Sequence, residues 1–365
     1  MTSTPEDHAF MARAIELTQR GRDTSTPNPS VGCVIAKGGR VIGEGWHERA
    51  GEAHAEIRAL QACSESPEGA TVYVSLEPCA HQGRTPPCAN RLVDAKVARV
   101  VAALEDPNPL VHGRGAECLR DAGIRVDIGL MAAEAEEAHR GFLYRMRHGR
   151  PWMRIKSAAS LDGRIALANG ESRWITGEVA RRDVHALRAR SCAILTGIGT
   201  VLRDDPDLTV RHVPCARQPR RVLIDSRLQV LPEARILKGE PPIIFTVSRD
   251  AVKRSRLMSS GTEVVTAPTD PATGKTDLSA IARELAARGF NEVTVETGAK
   301  LSGSLLAAGV IDEIVLYLAP KLFGDSAQGL FALPEMTRIE QALMPRIVDV
   351  RQFGEDLRII ARLAP

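Results

Sequence analysis

The stretch TVYVSLEPCAHQGRTPPCANRLVDA, residues 71–95, joins a strand pattern, two cysteines and a helix pattern. Its apolar first half reads as a buried strand that runs into Pro78-Cys79, and Pro87-Cys88 opens a helix. Another helix pattern opens upstream at His54-Ala55-Glu56. The positive end of a helix dipole favours thiolates and other anions. The sequence therefore predicts that one imidazole, two thiols and one carboxylate gather where a strand and two helices meet.

These side chains are typical of a catalytic zinc site. One imidazole and two thiolates bind the ion, and water takes the fourth tetrahedral position. We expect His54, Cys79 and Cys88 to bind one Zn²⁺ per chain, which lowers the pKa of that water towards about 7. Glu56 can then move a proton from the water to a leaving amine. His-x-Glu followed by Pro-Cys is the signature of zinc nucleobase deaminases. The alternative is a core histidine beside two small buried thiols. It does not explain why the candidate ligands lie at the starts of two helices.

Outward from this stretch, helix and strand patterns alternate along the first half of the chain. Apolar spacing from Phe10 to Thr18 predicts a helix with Thr4 as its N-cap and Pro5 at its first position. Strand patterns on both sides of Gly38-Gly39 predict a two-residue hairpin. Up to residue 130 the order is helix, hairpin, helix, strand, helix, strand, helix, strand. This order predicts a compact three-layer α/β unit.

The second half of the chain begins a new set of strands and helices. A helix pattern covers residues 131–148, and the basic run RMRHGR, residues 145–150, precedes Pro151. The strand pattern WMRIKSAAS, residues 152–160, then starts a second α/β domain whose strands read as mostly buried. A chain of 365 residues supports roughly two domains. We therefore place the domains at residues 1–148 and 149–365.

The composition of the chain argues against two classes of binding partner, nucleic acids and membranes. A formal net charge of +3 and only 13 aromatic residues argue against a nucleic-acid partner, which needs a basic surface or many stacking rings. No segment approaches the roughly 20 apolar residues of a membrane span, so we expect no membrane partner. The polar start MTSTPEDHAF lacks the features of a signal peptide. We therefore expect a cytoplasmic protein whose seven cysteines form no disulfides.

Two segments of the first half resemble a known family. TPNPSVGCVIAKGGRVIGEGWHERAGEAHAE, residues 26–56, and LEPCAHQGRTPPC, residues 76–88, resemble the deaminase domain of the RibD family of bacterial riboflavin-biosynthesis enzymes. The eight-residue spacer between the cysteines distinguishes this family from tRNA adenosine and cytidine deaminases, which have two. The resemblance implies a cytidine-deaminase-like α/β/α fold. It also implies that Asn28 and His47 contact the substrate pyrimidine and that Arg84 holds the substrate phosphate. The alternatives are a turn residue for Asn28 and a solvated loop charge for Arg84.

The second half lacks the fingerprint of a Rossmann dinucleotide site. In LTGIGTVL, residues 195–202, Leu202 stands where the third glycine should be. A different candidate for anion binding follows the strand pattern EVTVET, which we expect to run into a loop with Gly298, Ser302, Gly303 and Ser304 and then into a helix. Backbone amides at such a helix start can bind a phosphate. The alternative is an ordinary strand-to-helix connection in which small residues allow close packing.

Three further segments resemble the reductase domain of the same family. They are KSAASLDGRIALANGESRWITG (156–177), LRARSCAILTGIGTVLRDDPDLTVR (187–211) and VETGAKLSGSLL (295–306). The resemblance implies a dihydrofolate-reductase-like fold that uses NADPH. It implies that the NADPH-binding site is lined by Ala158, Trp174, Thr200, Asp204, Ser226, Gly298, Ala299, Lys300, Leu301, Ser302, Gly303 and Ser304. It implies that the substrate is held by Ser172, Arg188, Leu208, Arg211 and Glu296.

Chemistry assigns roles to some of these residues. Arg188 and Arg211 suit phosphate binding, because a guanidinium binds phosphate with two hydrogen bonds. Lys156 and Glu296 are the expected catalytic groups near the reacting ribose, where they can move a proton during hydride delivery. The alternatives are a solvated helix charge for Arg188, a structural salt bridge for Lys156 and a core position for Trp174. One departure from the family is Thr297, where a glycine is usual; a β-branched residue restricts the backbone and could narrow the cofactor loop.

The two resemblances together predict a bifunctional riboflavin-biosynthesis enzyme. Its first domain removes the 2-amino group of a diamino-hydroxy-ribosylaminopyrimidine phosphate. Its second domain reduces the ribosyl side chain to ribityl with NADPH. We also expect a homo-oligomer, since family members self-associate. Two alternatives stay open: a nucleic-acid-modifying deaminase whose second half binds RNA, and a second half that keeps the reductase fold as a structural module only.

Overall fold

The computed structural model describes residues 3–80, 87–109 and 111–363. The chain divides into two compact units between Gly149 and Arg150. Within the described ranges, no helix is both long and apolar enough to cross a bilayer.

The first unit alternates helices and strands in the predicted order. Its elements are α1 (Pro5–Gly21), β1 (Gly32–Lys37), β2 (Arg40–Trp46), α2 (Ala55–Gln61), β3 (Thr71–Val74), α3 (Cys88–Asp94), β4 (Arg99–Ala102), α4 (Arg114–Asp121), β5 (Arg125–Ile128) and α5 (Ala132–His148). As predicted, Thr4 caps α1: its hydroxyl accepts a hydrogen bond from the Asp7 amide and the Asp7 carboxylate accepts one from the Thr4 amide. Gly38 and Gly39 make the β1–β2 turn with φ of 58° and 76°.

The five strands form one sheet in the order β2-β1-β3-β4-β5. β1 runs antiparallel to β2 and β3, whereas β3, β4 and β5 are parallel. Side chains alternate between the faces of β3, so that Val72 and Val74 pack with α2, α3 and α4 while Tyr73 packs with α1 and α5. The predicted three layers are therefore present, and β3 delivers the Pro78-Cys79 loop from the centre of the sheet.

The second unit has more elements than the sequence patterns indicated. They are β6 (Trp152–Ser160), β7 (Arg164–Ala166), α6 (Glu178–Arg190), β8 (Ala193–Gly197), α7 (Ile198–Asp204), β9 (Arg220–Ile224), β10 (Ile243–Thr246), α8 (Ala251–Met258), β11 (Glu263–Thr266), α9 (Leu278–Ala287), β12 (Glu292–Val295), α10 (Ala299–Ala307), β13 (Glu313–Ala319), β14 (Gln328–Gly329), β15 (Arg346–Phe353) and β16 (Asp356–Arg362).

Nine of these strands form one sheet in the order β11-β10-β9-β8-β12-β6-β13-β16-β15. The strands from β11 to β13 in this order are parallel, and the β15–β16 hairpin adds two antiparallel strands at one edge. Central strands such as β8 and β12 are buried along their whole length, as parallel strands covered on both faces must be. Ligands of such sheets bind beyond the carboxyl ends of the parallel strands.

Candidate active sites

Three predicted metal ligands converge in the first unit. His54 is the N-cap of α2, Cys79 follows β3, and Cys88 is the first residue of α3. The Sγ atoms of Cys79 and Cys88 lie 3.6 and 3.3 Å from His54 Nδ1, and the three donor atoms lie within 4.8 Å of one another. Zinc bonds of about 2.0 Å to nitrogen and about 2.3 Å to sulfur at tetrahedral angles place such donors roughly 3.5 Å apart. The donor set therefore fits a zinc ion.

Local hydrogen bonds hold the two thiols in this arrangement. The Cys88 amide donates to Cys79 Sγ at 3.4 Å, and the Ala89 amide donates to the Cys79 carbonyl at 3.1 Å. A hydrogen bond from the Cys88 thiol, helped by His54, lowers the pKa of Cys79. The first turn of α3 thus binds the loop that follows β3 and favours a thiolate at Cys79.

Glu56 lies in the first turn of α2 beside these donors, and only 3% of the residue is exposed. Burial, reinforced by the negative charge of Cys79, raises the pKa of the Glu56 carboxyl to about 7. A carboxyl group that titrates near neutral pH can both accept and return a proton. The position and the environment of Glu56 therefore suit proton transfer.

Asn28 and His47, the predicted pyrimidine contacts, form a hydrogen-bonded chain next to the metal ligands. His47 Nδ1 lies 3.2 Å from the Ala53 carbonyl, which can only accept, so Nδ1 carries the proton. His47 Nε2 then accepts from Asn28 Nδ2 at 3.1 Å. Burial lowers the pKa of His47, in keeping with a neutral ring. The His47 ring also meets that of His54 edge to face, with centroids 5.1 Å apart. Within the described residues, no hydrogen bond engages the amide oxygen of Asn28, so this oxygen can accept one from a ligand. Arg84, the predicted phosphate contact, lies outside the described residues.

Glu77 is a residue of this site that the sequence analysis missed. Its buried carboxylate accepts four backbone N–H groups, whose donors are Asp106 (3.2 Å), Gly113 (3.0 Å), Gly115 (3.0 Å) and Ala116 (3.1 Å). Three of these donors belong to the start of α4, where the helix dipole favours an anion. A Cβ at Gly115 would lie 1.8 Å from the Pro78 carbonyl oxygen, so glycine permits the close approach. Glu77 thereby fixes the chain immediately before Cys79.

In the second unit, Glu296 lies at the carboxyl end of β12 between two cations. Its carboxylate accepts from Arg188 Nε at 2.6 Å and from Arg188 Nη2 at 2.9 Å, and Lys156 Nζ lies 3.9 Å away. Burial alone would raise the pKa of Glu296, but these cations lower it to about 2. Burial lowers the pKa of Lys156. Arg188 is therefore not a solvated helix charge, and the structure brings the three residues together.

The other predicted substrate residues lie on two segments near this cluster. Arg188 Nη1 also donates to the Thr209 carbonyl at 2.9 Å, and this bond joins the cluster to the segment that carries Leu208 and Arg211. Leu208 is buried with φ of 54°. Arg211 is exposed, and its Nη1 lies 3.1 Å from Thr209 Oγ1. Ser172 lies on a separate loop between β7 and α6, and no contact links it to the cluster among the described residues.

Trp174, on the same loop, does not occupy a core position. It is 65% exposed, and the Arg181 guanidinium lies 4.6 Å from its ring centroid. Lys321 Nζ donates to its carbonyl oxygen at 2.8 Å. An exposed aromatic ring held in this way can cover a bound ligand.

The predicted NADPH residues gather at the carboxyl edge of the parallel sheet. Ala158 lies on β6, Thr200 and Asp204 on α7 after β8, Ser226 after β9, and Gly298, Ala299, Lys300, Leu301, Ser302, Gly303 and Ser304 at the start of α10 after β12. The predicted loop that includes Ser302, Gly303 and Ser304 is wrong, because α10 begins at Ala299 and contains these residues. A Cβ at Gly298 or Gly199 would meet no described atom within 4 Å, so both helix starts border open space. The buried hydroxyl of Ser302 finds no partner among the described residues. These features fit a phosphate of the cofactor.

Thr297 is compatible with this loop. Its backbone lies outside the left-handed region, so its β-branched side chain imposes no strain there. Its Oγ1 lies 3.2 Å from the position of a Cβ on Gly197, where Leu301 is also close. Thr297 thus packs between the loops that follow β8 and β12.

Comparisons with known proteins agree with this arrangement. Residues 4–104 match the cytidine and deoxycytidylate deaminase zinc-binding region, and residues 151–359 match the RibD C-terminal domain. The chain is 47% identical over 364 residues to the riboflavin biosynthesis protein RibD of Escherichia coli, with 96% of this chain and 98% of the relative covered. It is 44% identical over 368 residues to RibD of Haemophilus influenzae, with coverages of 97% and 96%.

Solved structures give the same result. Acinetobacter baumannii RibD superposes with a TM-score of 0.91 at 42% identity and covers 99% of both chains. A diaminohydroxyphosphoribosylaminopyrimidine deaminase/5-amino-6-(5-phosphoribosylamino)uracil reductase from Thermotoga maritima superposes with a TM-score of 0.87 at 32% identity, with coverages of 98% and 99%.

Fold and site together define a zinc-dependent deaminase joined to an NADPH-dependent reductase on one chain. The chain belongs to the RibD family of riboflavin-biosynthesis proteins. The predicted fold class, a cytidine-deaminase-like domain followed by a dihydrofolate-reductase-like domain, is confirmed. The bifunctional prediction is also confirmed, and both alternatives for the second half are wrong, because this half is a RibD reductase domain.

Proposed function

We propose that the chain first deaminates a diamino-hydroxy-ribosylaminopyrimidine phosphate at its 2-amino group, and then reduces the ribosyl side chain of the product to ribityl. These are the two activities in the name of the Thermotoga relative. The observation that carries the proposal is the convergence of His54, Cys79 and Cys88 beside the buried Glu56.

Incubating the purified protein with the diaminopyrimidine phosphate tests this proposal. Without NADPH, mass spectrometry should detect only the deaminated ribosyl product, which is about 1 Da heavier because oxygen and hydrogen replace the amine. With NADPH, the ribityl product should follow, with two more hydrogens. A substrate that stays unchanged in the zinc-loaded protein would contradict the proposal.

For the deamination, we propose that each residue has a separate task. His54, Cys79 and Cys88 hold the zinc ion, which when bound supplies Lewis-acid activation of water. Glu56 accepts a proton on its carboxylate and returns it to the departing amine, because it lies buried in the first turn of α2 beside the three donors. The amide oxygen of Asn28 accepts from an N–H group of the pyrimidine, because its NH₂ group is engaged by His47. Arg84 pairs with the substrate phosphate.

For the reduction, we propose that Lys156 gives a proton to the ribose ring oxygen as the ring opens. Glu296 keeps this ammonium charged and in place, and Arg188 fixes Glu296 with two hydrogen bonds. NADPH, when bound, supplies the hydride for ribose C1′. Gly298 and the first turns of α10, up to Ser304, bind its phosphates. The substrate is held by Ser172, Leu208 and Arg211, with Arg211 as the phosphate contact.

We further propose that the enzyme works in the cytoplasm, where NADPH is supplied, as a homo-oligomer. The strand β15 supports self-association, because it is the last strand at one edge of the nine-stranded sheet. Its side chains Ile347 and Val350 and the preceding Met344 are exposed and apolar. An exposed apolar edge strand pairs readily with another chain.

A further inference from the structure

His185 is hydrogen-bonded to the backbone of Arg211, a proposed substrate residue, although neither the sequence motifs nor the family resemblance assigned His185 a role. It lies on α6, three residues before Arg188 and therefore on the same face of the helix. Only 5% of the residue is exposed. Its neighbour is the segment of residues 207–212, which we call the strap and which carries Leu208 and Arg211.

Side chains from outside the strap hold three consecutive residues of its backbone. Arg188 donates to the Thr209 carbonyl at 2.9 Å. The Gln218 amide accepts from the Val210 N–H at 2.7 Å and donates to the Val210 carbonyl at 3.1 Å. His185 Nδ1 accepts from the Arg211 N–H at 3.2 Å. The His185 bond therefore fixes the residue that bears the proposed phosphate contact.

The strap needs such external support. Leu208 has φ of 54°, in the left-handed region that a residue with a Cβ rarely adopts. Arg211 is exposed, and its guanidinium contacts only residues of the strap itself, Thr209 at 3.1 Å and Asp207 at 3.3 Å, among the described hydrogen bonds. The position of Arg211 therefore depends on the backbone of the strap, and two side chains of the same segment hold its guanidinium.

The environment of His185 suits a hydrogen-bond acceptor. Burial and the nearby charges of Arg188 and Arg211 lower its pKa to about 4, so that the ring is neutral and one nitrogen accepts. The ring also meets His212 edge to face, with centroids 4.7 Å apart. This contact joins His185 to the strap a second time.

We propose that His185 is a positioning residue of the reductase site: its bond to the Arg211 amide holds the strap so that the Arg211 guanidinium meets the substrate phosphate. The proposal rests on the phosphate role proposed above for Arg211. It predicts that His185 matters for substrates that carry the phosphate and not for the same substrates without it.

A pair of polar variants tests this role. In His185→Asn the side-chain oxygen can reach the position of Nδ1 and keep the bond, whereas in His185→Gln the polar group lies where Nε2 was and the bond is lost. We expect His185→Gln to raise the reductase KM for the phosphorylated substrate about tenfold, the effect of one lost hydrogen bond, with kcat changed less than about twofold. His185→Asn should stay near the native KM. Equal KM values for the two variants would overturn the proposal.

The dephosphorylated substrate separates positioning from a general structural effect. Its kcat/KM should be the same in His185→Gln and the native enzyme, and an equal loss with both substrates would overturn the proposal. Arg182→Gln, at an exposed position of the same helix α6, is the control and should keep the native KM for the phosphorylated substrate. The deaminase rate and the NADPH affinity of each preparation should stay at native values.

Arg211→Ala distinguishes a failure of this inference from a failure of the proposed function. An unchanged KM in Arg211→Ala would contradict the phosphate role itself, and the positioning proposal with it. If Arg211→Ala raises KM, the double variant with His185→Gln should match Arg211→Ala alone, since His185 acts through Arg211. Additive effects in the double variant would overturn the positioning role and leave the phosphate role of Arg211 intact.

Discussion

Glu56 combines two properties that the deamination requires, proximity to the metal ligands and burial that makes its carboxyl group easier to protonate. It is two residues from His54 in the first turn of α2, while burial raises its pKa to about 7. An exposed glutamate in the same position would stay ionised at neutral pH and could not return a proton efficiently. The deep burial of α2 against the sheet is therefore part of the chemistry.

The Glu56→Gln variant should abolish deamination and retain zinc, because glutamine matches the shape of glutamate but cannot take up a proton. General acid–base catalysis contributes roughly 10²–10⁴-fold, so we expect a rate loss of at least that size. Stopped assays on the diaminopyrimidine phosphate and metal analysis of the same sample measure both quantities. Deamination at the native rate would remove Glu56 from this role.

At the residue scale, sequence reasoning identified the residues that follow a motif and missed those that bind backbone. His54, Cys79 and Cys88 stand at a recognisable spacing, and the structure brings their donor atoms together. Glu77 and His185 have partners that are main-chain amides of distant segments. Backbone partners leave no pattern of residue types, so only the folded structure could identify these two residues.

At the scale of elements, several strands and helices of the second unit could not be predicted, because their sequence patterns are too short to distinguish a strand from a helix. The apolar run CAILTGIG reads as one strand, yet β8 ends at Gly197 and α7 begins at the next residue. Gly197 is both the last residue of β8 and the N-cap of α7, so the change of element takes no connecting residues, and a short apolar run fits either period. α8 buries only Leu257, and β11 has four residues, so neither carries a clear periodicity. By contrast, α9 has a strong apolar face, a capping residue in Asp277 and a glycine with φ of 82°, Gly289, just beyond its end, so its sequence carries clear helix signals.

The link between β3 and α4 supports the zinc site through Glu77. In Glu77→Gln, an NH₂ group would face two of the four backbone donors, and they would lose their acceptor. Partners that orient metal ligands are typically worth 10–100-fold in metal affinity, and we expect a loss of roughly that size. Competition with a chromophoric chelator measures it. Glu117 is an exposed residue of α4, so Glu117→Gln is the matched control and should bind zinc with the native affinity. Equal zinc affinities in the two variants would contradict the supporting role of Glu77.

Helix α5 contacts the sheet through the buried His139, whose Nε2 lies 3.0 Å from Ser75 Oγ. Burial lowers the pKa of His139 to about 4, below the value of about 6.5 in an unfolded chain. Between pH 6.5 and 4 the unfolded chain therefore binds one more proton at this residue. The contribution of His139 to stability is complete above pH 6.5 and is lost as the pH falls towards 4.

The His139→Gln variant should flatten this dependence, since glutamine can keep the bond to Ser75 and does not titrate. The slope of unfolding free energy against pH should fall by about 1.4 kcal/mol per pH unit at most within this window. Denaturant unfolding at several pH values, followed by tryptophan fluorescence, measures the slope. Identical slopes in the variant and the native protein would show that His139 does not cause this pH dependence.

At the scale of the whole molecule, each unit has its own core and its own chemistry. Gly149 ends α5 in the left-handed conformation, and Arg150 pairs with both carboxylate oxygens of Asp312 at 2.8 Å within the second unit. The sequence predicted a boundary nearby from the helix pattern and the following Pro151. It could not predict the Asp312 pairing, because the partners are 162 positions apart.

The edge strand β15 gives a prediction for the assembly. Lysine at an exposed apolar position of an edge strand opposes pairing with a second chain. The double variant Ile347→Lys/Val350→Lys should therefore sediment as a smaller species than the native protein in analytical ultracentrifugation. Val252→Lys, on the exposed face of α8, is the control and should sediment like the native protein. An unchanged sedimentation coefficient in the double variant would exclude this edge as the interface.

The zinc content of the Cys79→Ser variant tests the central claim most directly. Metal analysis should find one zinc per chain in the native protein and in Cys63→Ser, a half-buried cysteine outside the metal site. It should find almost none in Cys79→Ser, while NADPH oxidation on the deaminated substrate continues at the native rate. A full equivalent of zinc in Cys79→Ser would contradict the account.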